Sequence, residues 1–273
     1  RPILAVTLYR AWGIRVKTQA DPSESPPELD AIQSRFVAST WAFRASAERA
    51  AALRFERLAC TLRAVQAPQT VVDLAQRAVV DERRHIGLCD GLATHFGWTG
   101  SPLPPGPHAP IGPSQASAGE RLLYEMVSSC CLSETLNACM LRAILDRASS
   151  PMIRDTVRSI LGDEVHHARL GWLYLEHARG GDVGEFLGPL LPRMLQGIGA
   201  EYIDAPDPPG RDAPRLAAWG ELDQESRSAI FHAAMRDVVL PGLERVKVPT
   251  GAARAWLAAH TGASHDKAPG ASG

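Results

Sequence analysis

The chain has 273 residues, and its 29 Lys and Arg against 30 Asp and Glu leave a formal charge of −1, which gives no electrostatic case for a nucleic-acid partner. No apolar run reaches membrane-spanning length, because the stretch over 2–14 is short and broken by Tyr9, Arg10 and Gly13, so no membrane partner is expected. Five Cys without a regular framework read as reduced thiols and a cytoplasmic setting, although a chain that begins with Arg leaves a removed targeting segment open.

Aromatic residues are only 6% of the chain and apolar residues recur at helical spacing, so the expected class is all-α. After an N-terminal extension over 1–27, Pro26-Pro27-Glu28 is a plausible helix start. A first helix is expected over 28–65, with Ile32, Phe36, Val37, Trp41, Phe55, Leu58 and Leu62 among its apolar positions. A second runs over 69–96 and stops at Gly97. The segment 98–119 is rich in Pro, Gly and Ser and reads as a long crossing connection. A third helix follows over 118–147. The turn Ala148-Ser149-Ser150-Pro151 comes next, with Pro151 suited to a first helical position, and a fourth helix runs over 151–179, stopped by Gly180-Gly181. These four make a unit over 28–180. Accessory helices are expected within 181–262, near 183–202, 222–247 and 250–260. The loop 204–214 carries four prolines, and Pro241 is placed to kink the second accessory helix. The accessory part could cover one end of the bundle, close a pocket or form a homodimer contact. The Gly-, Ser-, Ala- and Pro-containing stretch 263–273 reads as a disordered tail.

One pattern occurs twice within these helices. Asp81-Glu82-Arg83-Arg84-His85 and Asp163-Glu164-Val165-His166-His167 both read D-E-x-x-H, and they contain the only Asp-Glu dipeptides and the only Glu-x-x-His spacings in the chain. Chance supplies about half a Glu-x-x-His pair at this length and composition, and about a few hundredths once the preceding Asp is required. Three residues is close to the helical turn of about 3.6, so Glu and His share a face and can grip one metal ion. Two such turns suggest a site for two ions.

A bundle site of this kind takes one further Glu from each of two other helices. Glu134 lies 30 residues before Glu164, and counting outward from the 148–151 turn puts the two at about equal distances, facing each other. In the first half Glu48 lies 34 residues before Glu82 and Glu56 lies 26 before it. A few non-helical residues near Gln66-Ala67-Pro68-Gln69 bring Glu48 into line and push Glu56 out, so Glu48 is preferred. The expected metal set is Glu48, Glu82, His85, Glu134, Glu164 and His167. Four carboxylates balance two divalent cations, which avoids unpaired buried charge. Carboxylate with imidazole suits iron or manganese, and the lack of thiolate argues against structural zinc. Asp81 and Asp163 are expected to accept the second ring N–H of the opposing half's His and fix its tautomer; the plainer alternative is a solvated helix residue.

Several other residues have a plain reading beside a functional one. Cys89, one turn after His85, and Cys130, one turn before Glu134, are placed near the centre, but a free Cys is ordinarily a small core residue. Trp41 and Tyr174 could line a pocket or relay an electron, with core packing the stronger expectation. His166 is displaced by about 100° from His167 and belongs to the surface or an interhelical contact. Arg83 and Arg84 read as a solvated face or as partners of acidic neighbours.

With these residues the chain resembles the ferritin-like superfamily of di-iron carboxylate proteins, over 27–179. That superfamily has a four-helix bundle with Glu on helices one and three and Glu-x-x-His on helices two and four. The resemblance implies that Glu82 and Glu164 bridge two Fe ions, with Mn or a mixed Mn/Fe pair open. Glu48 and His85 would complete one ion, and Glu134 and His167 the other. The offsets of 82 residues between the motifs and 86 between Glu48 and Glu134 fit two helical hairpins. The long second connection fits the same topology. The implied activity is oxidation or oxygenation of a small or carrier-bound substrate with O2, assisted by an electron-donor protein. The chain lacks the Cys-x-x-Cys of rubredoxin-bearing relatives, exceeds ferritin subunits in length, and has Ile160 and Leu161 where N-oxygenases of the superfamily carry a third His. An iron- or peroxide-handling protein without organic substrate, or a bundle with a structural or vestigial site, are the alternatives.

Overall fold

The structure is a computed structural model that describes residues 26–178, 182–203, 207 and 213–260. The expected N-terminal extension, apart from 26–27, and the tail over 263–273 lie outside the described residues. All regular structure among the described residues is helical, with no strand.

Helix α1 covers Ala31–Ala64 and starts three residues later than Pro26-Pro27-Glu28 suggests, because Asp30 caps it. The Asp30 carboxylate accepts from the backbone N–H of Ile32 and Gln33 at 2.8 Å each, and the Gln33 side chain accepts from Asp30 N–H at 3.0 Å. Helix α2, Gln69–His95, folds back along α1 after a short turn. It ends as Gly97 N–H reaches Thr94 O and Trp98 N–H reaches Ala93 O, a left-handed stop that satisfies the last carbonyls. Alanines at 38, 42, 45, 52, 59, 75 and 78 are buried on the two helices, and such small side chains let the backbones approach.

The connection after α2 runs along the outside of α1. Ser46 donates to Pro104 O, Arg54 to Pro107 O at 3.0 Å and Arg57 to His108 O at 3.0 Å. Successive loop residues thus meet successive turns of α1, so the chain is carried to the far end before the third rod begins. That rod starts at α3, Ala118–Glu125, capped by Ser117 and Glu120. It continues through a wider π-type stretch, Met126–Ser133, into α4, Glu134–Arg147. Because Arg57 of α1 meets Glu125 at one end, and Trp41 and Ile144 meet around Gly220 at the other, the third rod runs antiparallel to α1 and parallel to α2. The sequence predicts an unbroken helix over 118–147. The π-type stretch replaces part of it where α5 crosses closest: a Cβ on Gly171 would stand 2.7 Å from Cys130 Cβ and 2.8 Å from Cys131 N. Helix α5, Pro151–Ala178, returns antiparallel to α4, with Arg154 donating to Leu145 O at 2.7 Å and Ala148 O at 2.9 Å. Its expected last residue, 179, lies outside the described set.

The accessory helices are α6 (Val183–Leu187), α7 (Leu191–Tyr202), α8 (Ala213–Ala217), α9 (Gln224–Ala234), α10 (Leu240–Arg245) and α11 (Gly251–His260). The single helix expected over 183–202 is broken by a 3-10 turn at Gly188–Leu190, which contains Pro189. The loop expected over 204–214 ends early, since α8 already begins at Ala213. The helix expected over 222–247 begins at Gln224 and widens into a π-type stretch, Met235–Val239, just before Pro241. Proline has no N–H to return to the preceding turn, so the register loosens there. Helix α9 packs on α4, and Gly242 of α10 sits against the buried Trp172 of α5. The link between α8 and α9 covers the bundle end where α1 and α5 begin: Trp219 donates to Pro27 O at 2.9 Å and Arg44 to Gly220 O at 3.0 Å.

Candidate metal centre

Halfway along the rods, four helices each turn acidic side chains inward. Glu48 comes from α1, Glu82 and His85 from α2, Glu134 from the first turn of α4, and Glu164 and His167 from α5. Their side-chain donor atoms form two groups, Glu48–Glu82–His85–Glu164 and Glu82–Glu134–Glu164–His167, each with all atoms within 4.8 Å of one another. The i,i+3 spacing places Glu82 Oε2 3.3 Å from His85 Nδ1, and Glu164 Oε2 3.2 Å from His167 Nδ1. The remaining oxygens cross over: Glu82 Oε1 is 3.1 Å from His167 Nδ1, and Glu164 Oε1 is 3.5 Å from His85 Nδ1. Each of these two carboxylates therefore offers one oxygen to either group. Glu48 Oε2 stands 3.8 Å from His85 Nδ1. Glu56 is turned outward, 3.4 Å from Arg83, and joins neither group.

The far sides of the imidazoles meet the aspartates in the crossed arrangement. His85 Nε2 lies 3.1 Å from Asp163 Oδ2, and His167 Nε2 lies 3.6 Å from Asp81 Oδ2. At His85, where Nε2–H is directed at a carboxylate within hydrogen-bond reach, the Nδ1 lone pair is left facing the centre. Asp163 is itself ion-paired to Arg84, which donates to Ser159 at 2.6 Å. Asp81 has Arg77 at 3.5 Å, one turn earlier on the same helix.

Whether a cation suits these residues can be judged from their unmet valences. Glu82 Oε2, both oxygens of Glu164, His85 Nδ1 and His167 Nδ1 are buried with no hydrogen-bond partner. Buried polar atoms are normally paired, and this many converging orphans call for a shared ligand rich in positive charge. Without one, protons take its part. Burial, reinforced by Glu48, raises the Glu82 carboxyl, and burial with the Glu164 and Glu82 charges raises Glu134 well above the carboxylate range. Burial lowers His85, but Glu48 and Glu82 outweigh it and bring the imidazole to about 11. The contact with His167 lowers Asp81. The site is built to gather positive charge, and the buried Glu and His residues could hold metal ions.

Neighbouring residues divide as follows. No thiol joins either group, and burial pushes the Cys89 and Cys130 thiols up, away from the thiolate form that binds metals. Trp41 and Tyr174 are buried in the core. His166 is exposed, as its helical angle implies. The sequence does not single out Phe55, whose ring stands 5.2 Å from that of His167, nor the buried Glu125, which Arg57 grips with both guanidinium nitrogens at 2.6 and 2.7 Å. A signal for the pair exists: Arg57 lies nine residues after Glu48 and Glu125 nine before Glu134, equal offsets on antiparallel rods. Glu221, buried beside Thr40 and Arg44, has no such signal.

No protein-family model matches the chain, and comparison with curated proteins and with solved structures gives no significant match.

Proposed function

We propose that the chain is a ferritin-like di-metal carboxylate oxidoreductase that uses O2 to oxidise or oxygenate a small or carrier-bound substrate. The supporting observation is the pair of ligand groups joined through Glu82 and Glu164, with unpaired buried donor atoms on both sides. Hard carboxylate and imidazole donors favour Fe(II) or Mn(II). When bound, two such redox-active ions would supply the electrons with which O2 is reduced, and an electron-donor protein would restore them.

The residues themselves divide the remaining work. Glu48, Glu82, Glu134 and Glu164 neutralise the cations inside an apolar bundle, where an unbalanced charge is costly. Asp163 holds the His85 ring so that Nδ1 points inward, and Asp81 faces the His167 ring at 3.6 Å. Phe55, fully inside the core, keeps water from the His167 ring. Glu48 is the ligand nearest solvent, with 13% of its side chain exposed.

The test is metal analysis of the purified full-length chain, followed by O2 uptake by the anaerobically prepared Fe(II) form. The expected result is two ions per chain and O2 consumption that leaves the protein in an oxidised form. Glu82→Ala is expected to lose most of the metal while keeping its helical circular dichroism. Protein that takes up no divalent ion would sink the proposal. Repeated Fe(II) turnover without organic substrate, in a cage-sized assembly, would replace it with an iron-handling role.

A further inference from the structure

The two ligand groups share Glu82 and Glu164 but differ in how they meet solvent. The first adds Glu48, the only half-buried member of the six, and His85. The second adds Glu134 and His167 and is buried throughout. Around Glu134 most of the rod is buried, Cys130, Cys131, Leu132, Thr135, Leu136 and Ala138 among it, while Ser133 and Asn137 are half-buried and Glu134 itself is 6% exposed. Phe55 shuts the space beside His167. Around Glu48, by contrast, Ala47 is exposed and Arg44, Arg49 and Ala51 are half-buried. Glu48 is therefore the ligand most open to solvent.

The supports behind the two imidazoles are unequal in the same sense. His85 is 3.1 Å from Asp163, which Arg84 holds from the surface, with Ser159 holding Arg84. His167 is 3.6 Å from Asp81, whose cation Arg77 is largely exposed. The accessible group therefore has its ring braced in advance, and the sealed group does not. Between them, Glu82 and Glu164 each present one oxygen to either side, so the two groups are joined through shared carboxylates.

Resting on the two-metal reading above, we propose that divalent ions load this centre in order through Glu48. The Glu48–Glu82–His85–Glu164 group takes the ion from solvent, and the Glu82–Glu134–Glu164–His167 group fills from it across the shared carboxylates. Release follows the reverse order: the outer ion exchanges freely, and the inner ion leaves only after the outer position has emptied.

The experiment uses the full chain loaded to saturation with Zn(II), a redox-inert probe, and challenged with a chelating dye. The expected course is two phases of one ion each, the second resolvably slower because the inner ion leaves only through the emptied outer position. Glu134→Ala, which leaves the outer group whole, is expected to hold one ion and to show only the fast phase. Glu48→Ala is expected to hold one ion, loaded more slowly than in the parent and lost in the slow phase. Helical circular dichroism establishes that each variant is folded, and the parent protein alone already decides the order. Two ions that leave the parent at one rate, or a slow phase in Glu134→Ala, would overturn ordered loading and leave the two-metal reading standing. Fewer than two Zn(II) per chain at saturation would remove that reading and the order with it.

Discussion

His85 and His167 occupy equivalent places in the two motifs, yet their aspartates hold them differently. Asp163 is at hydrogen-bond distance from His85 and is pinned by Arg84, whereas Asp81 is 3.6 Å from His167 with a more exposed arginine. A carboxylate behind a metal-bound imidazole sets its tautomer and raises its basicity, and its loss weakens metal affinity by about 10–100-fold. Asp163→Asn is therefore expected to reduce affinity within that range, and Asp81→Asn by less. Competition titration against a chelator of known affinity measures both, and equal losses would contradict the unequal support. Much of this was legible beforehand, because Glu-x-x-His is a local spacing that any helix converts into a shared face. The crossed Asp–His contacts follow from the same geometry once two helices face each other. Arg84 was not legible as a specific partner: it reaches Asp163 and Ser159 on α5, and the pairing of a surface Arg with a helix distant in sequence depends on rotation about both axes. Glu48 could be preferred over Glu56 only through the non-helical residues of one turn.

At the scale of elements, the third rod departs most from its sequence. Nothing in Met126–Ser133 breaks a helix: it has neither Pro nor Gly, and its residues are mostly apolar. The cause lies on α5, where Gly171 lets the Cys130–Cys131 backbone come within the space that a side chain would fill. A π-type stretch inserts extra chain into a helix turn, and here it ends at Ser133, directly before Glu134. The contact therefore positions a ligand as well as packing two rods. Gly171→Ala would drive a methyl to 2.7 Å from Cys130 Cβ and 2.8 Å from Cys131 N, a clash with backbone that cannot rotate away. Overpacking of this kind costs about 1–3 kcal/mol. Urea denaturation is expected to show that loss, and metal analysis to show a weakened inner ion, because Glu134 moves with the stretch before it. A variant as stable and as metal-replete as the parent would show that the close approach is incidental. Other elements were readable because their signals are short-range: Pro151 opens α5, and Gly97 closes α2.

For the molecule as a whole, the accessory helices do more than lengthen the chain. Their link at 218–223 sits on one end of the four rods, and Gly220 marks how tightly. Its φ is +90°, and a Cβ there would meet Ile153 at 3.1 Å and Trp41 at 3.2 Å, so glycine is required on both counts. The next residue, Glu221, is carried into the interior and is 8% exposed. Burial pushes its carboxyl up from 4.5 to about 7, against the pull of Arg44, the Thr40 hydroxyl and Arg227. A carboxyl whose pKa is higher folded than unfolded contributes stability that is complete below the unfolded value of 4.5 and is lost as pH rises through about 7. Above that pH the buried anion costs roughly 3 kcal/mol relative to the neutral acid. Glu221→Gln copies the protonated form at every pH. Urea denaturation is therefore expected to find the variant close to the parent at pH 4 and more stable at pH 8, with the gap opening between those limits. Comparing the two proteins at each pH cancels the titration of the metal centre, which they share. A gap independent of pH would mean that the Glu221 carboxyl titrates alike in the folded and unfolded chain, with Arg44 on α1 and Arg227 on α9 offsetting its burial. A gap that opens with pH would mean that the end cover, which carries Glu221 into the interior, costs the fold stability as that carboxyl ionises.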